Sequence, residues 1–190
     1  MNASTSLRVD KATFFEFLAV QAEGRFEYDR GRIVQQMPGG TFAHSLVSQR
    51  LISAFEGRLD PTAWAVTGHS RGVETAVTVR YPDVLVEPMV GALKELSTGV
   101  PAIVVEVLSP STEQLDMNVK PAEYMSLASL EAYIVAGQDG PECWVWLRGP
   151  DRRFPDLPQE IRGRKSRIEI PALGLAIPLE EVYRGIDDTD

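Results

Sequence analysis

Apolar residues recur along the chain at two spacings, and each spacing predicts its own kind of element. Phe14, Phe15, Phe17 and Leu18 give an apolar helical face in a stretch that Asp10 or Thr13 can cap and that runs to about Ala22 before Gly24. Phe42, Leu46, Leu51, Ile52 and Phe55 repeat at helical spacing, predicting a second helix from Thr41 to the stop at Gly57. Residues 25–28 and 32–37 flank Asp29-Arg30-Gly31 and predict a hairpin. Residues 63–67 and 72–79 read as strands, the second because Val73, Thr75, Val77 and Val79 alternate. The β-branched runs 84–86 and 103–108 predict buried strands, and 132–136 with 143–147 predict a further hairpin closed by Gln138-Asp139-Gly140-Pro141. Residues 87–100 read as a loop with a short helical turn at 93–96. A helix is expected within 116–127, with Tyr124 and Leu127 on one face, and the tail offers a strand at 167–170 and a short helix at 178–183. This alternation predicts an α/β fold with a mixed sheet, on one domain spanning residues 1–190.

Two of these apolar runs carry acids. Asp83 stands at the mouth of the first, and Glu106 sits inside the second between Val105 and Val107. Burying an unpartnered carboxylate costs several kcal/mol, so Glu106 needs a cation, a hydrogen-bonding partner or a solvent-filled pocket. Lys120 follows closely, and the three make a candidate metal-and-lysine site for phosphodiester chemistry. Hard carboxylate oxygens suit Mg²⁺ or Mn²⁺, with the Val107 carbonyl as a third donor, and a lysine orients or deprotonates water or neutralises developing charge. Other readings stay open. Glu106 and Lys120 make an equally simple buried ion pair, Asp83 a turn acid after Pro82, and Glu27 a cross-strand charge partner. His44 reads either as a phosphate contact or as a helix-entrance histidine, and His69 as a loop residue. Tyr124 reads as core. Trp144 and Trp146 share one side of a strand, where packing or a dimer contact outweighs base stacking.

Composition narrows the class. With 44% hydrophobic and 24% charged residues the chain is an ordinary globular protein, and no apolar run approaches a membrane span. The N-terminal stretch lacks a secretory pattern, so a cytoplasmic location is expected. The single cysteine, Cys143, excludes an intramolecular disulfide and argues against a zinc cluster. A net charge of -8 opposes non-specific nucleic-acid binding, yet residues 148–167 carry seven basic groups against three acidic, a local +4 that leaves -12 elsewhere. That stretch reads as a solvated face and hairpin tip, or as a surface for a partner or a phosphate backbone. Neither Ser109 nor Ser111 lies in a nucleophile elbow, no phosphate-binding glycine loop is present, and a glycosidase scheme leaves Lys120 without a task.

Pro82-Asp83 before a strand, then Glu106 to Thr112 reading Glu-Val-Leu-Ser-Pro-Ser-Thr, then Asp116, Lys120 and Tyr124 at four-residue spacing, together resemble the Uma2 family of the PD-(D/E)XK restriction-endonuclease-like superfamily. Phe26-Glu27-Tyr28-Asp29 with Gly31, Ile33 and Val34 looks like that family's opening hairpin, and His44 sits where it has a histidine opening the next helix. The likeness runs over about residues 11–183. It implies a restriction-endonuclease-like core, a central mixed β-sheet flanked by helices with added hairpins. It further implies an active site of Asp83, Glu106 and Lys120 with Glu27 as an extra acid, acting as a metal-dependent endonuclease on DNA or a related nucleic acid. The same fold without turnover would be a binding or assembly module. Cutting two strands is simplest with two sites on a twofold axis, which makes a homodimer the expected state. The superfamily usually places its lysine two residues beyond the second acid, where this chain has Leu108; Lys120 matches the family's own version, on the following helix. Pro121 puts Lys120 at that helix's entrance, with Asn118 as the expected cap.

Overall fold

The computed structural model describes residues 8–21, 24–36, 40–89, 94–110 and 112–186. Helix α1 (Lys11–Val20) starts at Asp10, whose carboxylate accepts the Thr13 N–H; Ala22, the expected end, lies outside the described residues. Strands β1 (Arg25–Asp29) and β2 (Arg32–Gln36) are joined by Arg30 and Gly31, both left-handed at φ 48° and 92°. Two positive φ values in a two-residue loop give the turn whose twist matches paired strands, and glycine carries the second at no steric cost. Helix α2 (Phe42–Glu56) is capped by Thr41, whose Oγ1 accepts the His44 N–H, and it buries Val47, Leu51, Ala54 and Phe55.

The next strand, β3 (Trp64–Thr67), follows expectation, but residues 72–79 are not one strand. They fold back as β4 (Gly72–Glu74) and β5 (Thr78–Arg80) because the Thr75 hydroxyl accepts the Val77 and Thr78 N–H groups and bonds Thr78 Oγ1 at 2.7 Å. Side-chain turn chemistry of this kind does not interrupt an alternating pattern, so periodicity reads straight through it. Then come β6 (Val84–Pro88), β7 (Ser97–Thr98) and β8 (Ile103–Val107). Part of the turn expected at 93–96 lies outside the described residues.

The single helix expected within 116–127 is two short ones, α3 (Glu113–Asn118) and α4 (Lys120–Met125), interrupted at Val119. Pro121 sits in the first turn of α4, where its missing N–H leaves no bond broken. Asn118 is not the cap; it ends α3, and its amide donates back to the Gln114 carbonyl. The remaining elements are β9 (Ala132–Ala136), β10 (Glu142–Leu147), β11 (Gln159–Arg162), β12 (Arg167–Ile170), a 3-10 turn (Pro171–Leu173), β13 (Leu175–Pro178) and α5 (Leu179–Val182).

A six-stranded sheet runs in the order β11-β10-β9-β8-β6-β3, with β8 and β9 parallel and the other neighbours antiparallel. A five-stranded sheet, β2-β1-β5-β4-β7, stands beside it, and β12 pairs with β13. Strand alternation sorts the large sheet's two faces. Ile103, Val105 and Val107 of β8 pack with α2, α5 and the β12–β13 hairpin. Val104 faces the other way, with Tyr124 of α4, Leu130 and Tyr133, and Glu106 shares that parity. The acid of the central strand is thereby delivered to the face covered by α4.

The basic stretch mostly braces the fold. Arg148 donates to the Leu127, Leu130 and Arg152 carbonyls and lies 4.4 Å over the Phe154 ring. Arg164 donates to the Tyr183 and Ile186 carbonyls, while Arg152, Arg162 and Arg167 pair with acids. Strand β10 is hydrogen-bonded on both sides, and Trp146 packs against Tyr133 with ring centroids 5.4 Å apart, so packing accounts for Trp146 and β10 offers no free edge. Leu51, fully buried between α2 and the sheet, tests the core: Leu51→Ala is expected to cost about 2–5 kcal/mol in urea unfolding.

Candidate functional site

Asp83 stands just before β6 and is fixed from three sides. Its Oδ2 accepts the Val107 N–H at 2.8 Å, tying the start of β6 to the end of β8. His44, in the first turn of α2, brings Nε2 within 3.2 Å of that same oxygen, and His69 Nδ1 lies 3.4 Å from Oδ1. His69 lies in the turn that follows β3; the β3–β6 ladder ends with Thr67 opposite Leu85, and the chain beyond it runs beside the start of β6, where Asp83 stands. Its sequence surroundings carry no sign of this, because the register of a strand pair is a tertiary quantity. Burial alone would raise the Asp83 carboxyl; the imidazoles of His44 and His69 overcome it and hold the group well below the usual carboxylate range. In return the hydrogen bond to Asp83 raises His44 above the ordinary histidine value, against the effect of burial.

Glu106 is 4% exposed, on the α4 face. Its Oε1 accepts the Tyr124 hydroxyl at 2.9 Å and lies 2.8 Å from Lys120 Nζ. Lys120 Nζ also lies 2.8 Å from Asp116 Oδ1, the acid four residues earlier on α3. Burial would drive the ammonium toward its neutral form, but the paired charges of Glu106 and Asp116 reverse this and hold Lys120 protonated far above the ordinary lysine value. Such a lysine donates hydrogen bonds and neutralises anions; it is a poor base. The ion-pair reading of Glu106 and Lys120 is therefore realised, and it joins β8 to α4. Asp116 stands in the motif of the sequence, and its spacing of four from Lys120 was the available sign of a pair.

Glu27 faces the same space, yet its carboxylate is occupied. Oε2 accepts from Arg80 Nη1 at 2.9 Å and from the Gln36 amide at 2.8 Å, while the Tyr81 N–H approaches Oε1 at 3.4 Å. Tyr28 pairs with Val79 across β1 and β5, which sets Glu27 opposite Arg80, so the cross-strand partner reading describes its contacts. Arg80 is itself 3% exposed, and its fork closes on Glu123 of α4, Nε to Oε2 at 2.9 Å and Nη2 to Oε1 at 3.0 Å. As the last residue of a three-residue strand, Arg80 gave the sequence no signal.

One cavity of about 510 Å³ is lined by Glu27, His44, Asp83, Glu106, Val107 and Lys120, with His69 and Asp116 beside them. Segments far apart in the chain thus reach a single wet space. Among the described residues no three acid, imidazole or thiol side chains converge as a ready-made metal cage. Among those residues, too, no helix is long and apolar enough to cross a membrane.

This architecture, a mixed sheet flanked by helices with two acids and a lysine lining one cavity, has a counterpart among solved structures. A crystal structure described as "a putative nuclease belonging to DUF820", from Anabaena variabilis, has the same fold, with a TM-score of 0.69 at 17% identity, covering 89% of this chain and 96% of that one. The model of the Uma2 family, described as "Putative restriction endonuclease", matches residues 12–180. An uncharacterized protein of Synechocystis sp. is 30% identical over 166 residues, 85% of each chain. The chain belongs to the Uma2 family.

The Asp83–His44 pair has a defined pH window. Asp83 is depressed, so its contribution is present above the ordinary carboxylate value of 3.8 and is lost as pH falls through its lowered value. His44 is raised, so its contribution is full below the ordinary histidine value of 6.5 and is lost as pH rises through its raised value. His44→Gln is therefore expected to destabilise most between those two values and less on either side, measured as the difference in urea unfolding across a pH series. A difference independent of pH would contradict the pairing. Tyr124→Phe, which takes one donor from the enclosed Glu106, is expected to cost about 1–3 kcal/mol in the same assay.

Proposed function

We propose that this chain is a divalent-metal-dependent endonuclease that hydrolyses phosphodiester bonds in DNA or a related nucleic acid through Asp83, Glu106 and Lys120. The observation that carries the reading is that these three side chains line one cavity from three separate segments. The donor chemistry fits Mg²⁺ or Mn²⁺. Asp83, Glu106 and Val107, which line the cavity, offer hard oxygens, and Mg²⁺ commonly takes only one or two carboxylates, completing its shell with water and substrate phosphate. Four carboxylates (Glu27, Asp83, Glu106, Asp116) line the cavity together with Lys120, Arg25 and two histidines. When bound, the ion supplies Lewis-acid neutralisation at a phosphoryl oxygen.

The chain's own groups do the rest. Lys120, held charged by Glu106 and Asp116, donates to the phosphate and offsets the charge that develops on it, and leaves proton abstraction to another group. His44, at the start of α2 and on the cavity wall, contacts substrate phosphate in its protonated form. Two such sites on a twofold axis, in a homodimer, would address both strands of a duplex.

A second reading, a non-catalytic binding or assembly module, is favoured by one specific observation: Asp83 and Glu106 each already face a basic partner within 3.2 Å. Incubation with plasmid, single-stranded DNA and RNA in Mg²⁺ or Mn²⁺ separates the two. Cleavage is expected, abolished by chelator and reduced by at least about 100-fold in Lys120→Ala and in Asp83→Ala. Absence of cleavage on every substrate, with Mn²⁺ still bound by calorimetry, supports the second reading. Cleavage that survives in Lys120→Ala overturns the assignment of this site.

A further inference from the structure

Helix α4 has six residues, begins immediately after the interruption at Val119, and carries proline in its first turn. So short an element has little stability of its own, and its pose must come from what it touches. Two of its contacts run through Glu106, from Lys120 and Tyr124. The third is different in kind: Glu123, 6% exposed and three residues beyond Lys120, takes both prongs of the Arg80 guanidinium. Arg80 is anchored in turn by Glu27 on β1, and Arg30, in the β1–β2 turn, donates to Glu123 at 3.1 Å. A planar fork closing on a carboxylate fixes direction as well as distance, which an ammonium in the same place would not do.

We propose that Arg80 is a positioning residue of the site: with Glu27 as its counter-charge, it clamps Glu123 and so sets the rotation and depth of α4 that put Lys120 between Glu106 and Asp116. Glu27 then belongs to the clamp. Its carboxylate balances a guanidinium buried in the small sheet, and through that guanidinium the hairpin of β1 and β2 is mechanically joined to the lysine helix. The proposal deepens the nuclease reading, but its main measurement is independent of any cleavage.

The chain has four lysines, Lys11, Lys94, Lys120 and Lys165, and Lys94 and Lys165 are exposed. A pulse of an amine-acetylating reagent on the full chain, quantified by mass spectrometry, reads the enclosure of Lys120 against Lys165 as an internal standard. In the wild type Lys120 is expected to react at least tenfold more slowly. In Glu123→Ala, which removes both acceptors and leaves Arg80 with Glu27 and Asp29, Lys120 is expected to gain at least tenfold, while Lys94 and the circular dichroism spectrum stay unchanged. Glu123→Gln, which keeps an acceptor, restores part of the protection, and Arg80→Lys, which keeps the charge and loses the fork, behaves like Glu123→Ala. Should Arg80→Lys fail to fold, the two Glu123 variants decide. Equal protection of Lys120 in folded Glu123→Ala and wild type overturns the proposal. If the wild type cleaves, Glu123→Ala lowers kcat and leaves KM for DNA within twofold; if nothing is cleaved, the acetylation result still stands or falls alone.

Discussion

A carboxylate in the middle of a buried strand is the constraint on which the rest of this structure turns. Glu106 cannot be ionised on an apolar sheet face unless a cation meets it, since the desolvation of a lone carboxylate amounts to several kcal/mol. The chain answers by leaving β8, reversing through Ser109 and Pro110, and returning over the same face as α3 and α4, which bring Lys120 and the Tyr124 hydroxyl to one oxygen of Glu106. The lysine in turn needs Asp116, because a buried ammonium is as unfavourable as a buried carboxylate. What looks like a motif in the sequence is thus a sequence of electrostatic debts settled in order: strand acid, helix lysine, helix acid.

Around that centre the polar groups form three linked sets. Asp83 is held by the Val107 amide and two imidazoles. Glu106 is held by Lys120 and Tyr124. Glu27 is held by Arg80, which reaches across to Glu123. The first set ties β6 to β8 and α2, the second ties β8 to α4, and the third ties the small sheet to α4. Each polar set therefore also joins two structural layers. That dual use explains why so many charged groups are tolerated in the interior: networks in which every member has a partner rigidify a site, whereas a half-satisfied one is costly.

The protonation states follow from the same arrangement and limit the chemistry. Lys120 between two carboxylates stays charged, which suits electrostatic stabilisation of a phosphoryl group. His44 against Asp83 is raised above the ordinary histidine value, which favours its protonated form. The carboxylates that line the cavity repel a bare phosphate, so an anionic polymer would need a counter-ion with it or local histidine charge.

The family was legible in motifs spread along the sequence. Sequence alone also determined the first two helices, the turn that needed Gly31, the buried strands at the centre of the sheet, and the fact that Glu106 had to be answered by something. These last are local matters, decided by neighbours within a few residues. Tertiary structure decided the rest. The fold-back of 72–79 depended on a threonine hydroxyl that an alternating pattern does not reveal, and β13 on finding β12 as a partner. Arg80 reaches Glu27 because the antiparallel register of β1 and β5 sets them opposite, and His69 reaches Asp83 because β3 is laid beside β6. A register is chosen by whole faces packing together, so no single residue announces it, and for that reason both residues were invisible until the sheets were assembled.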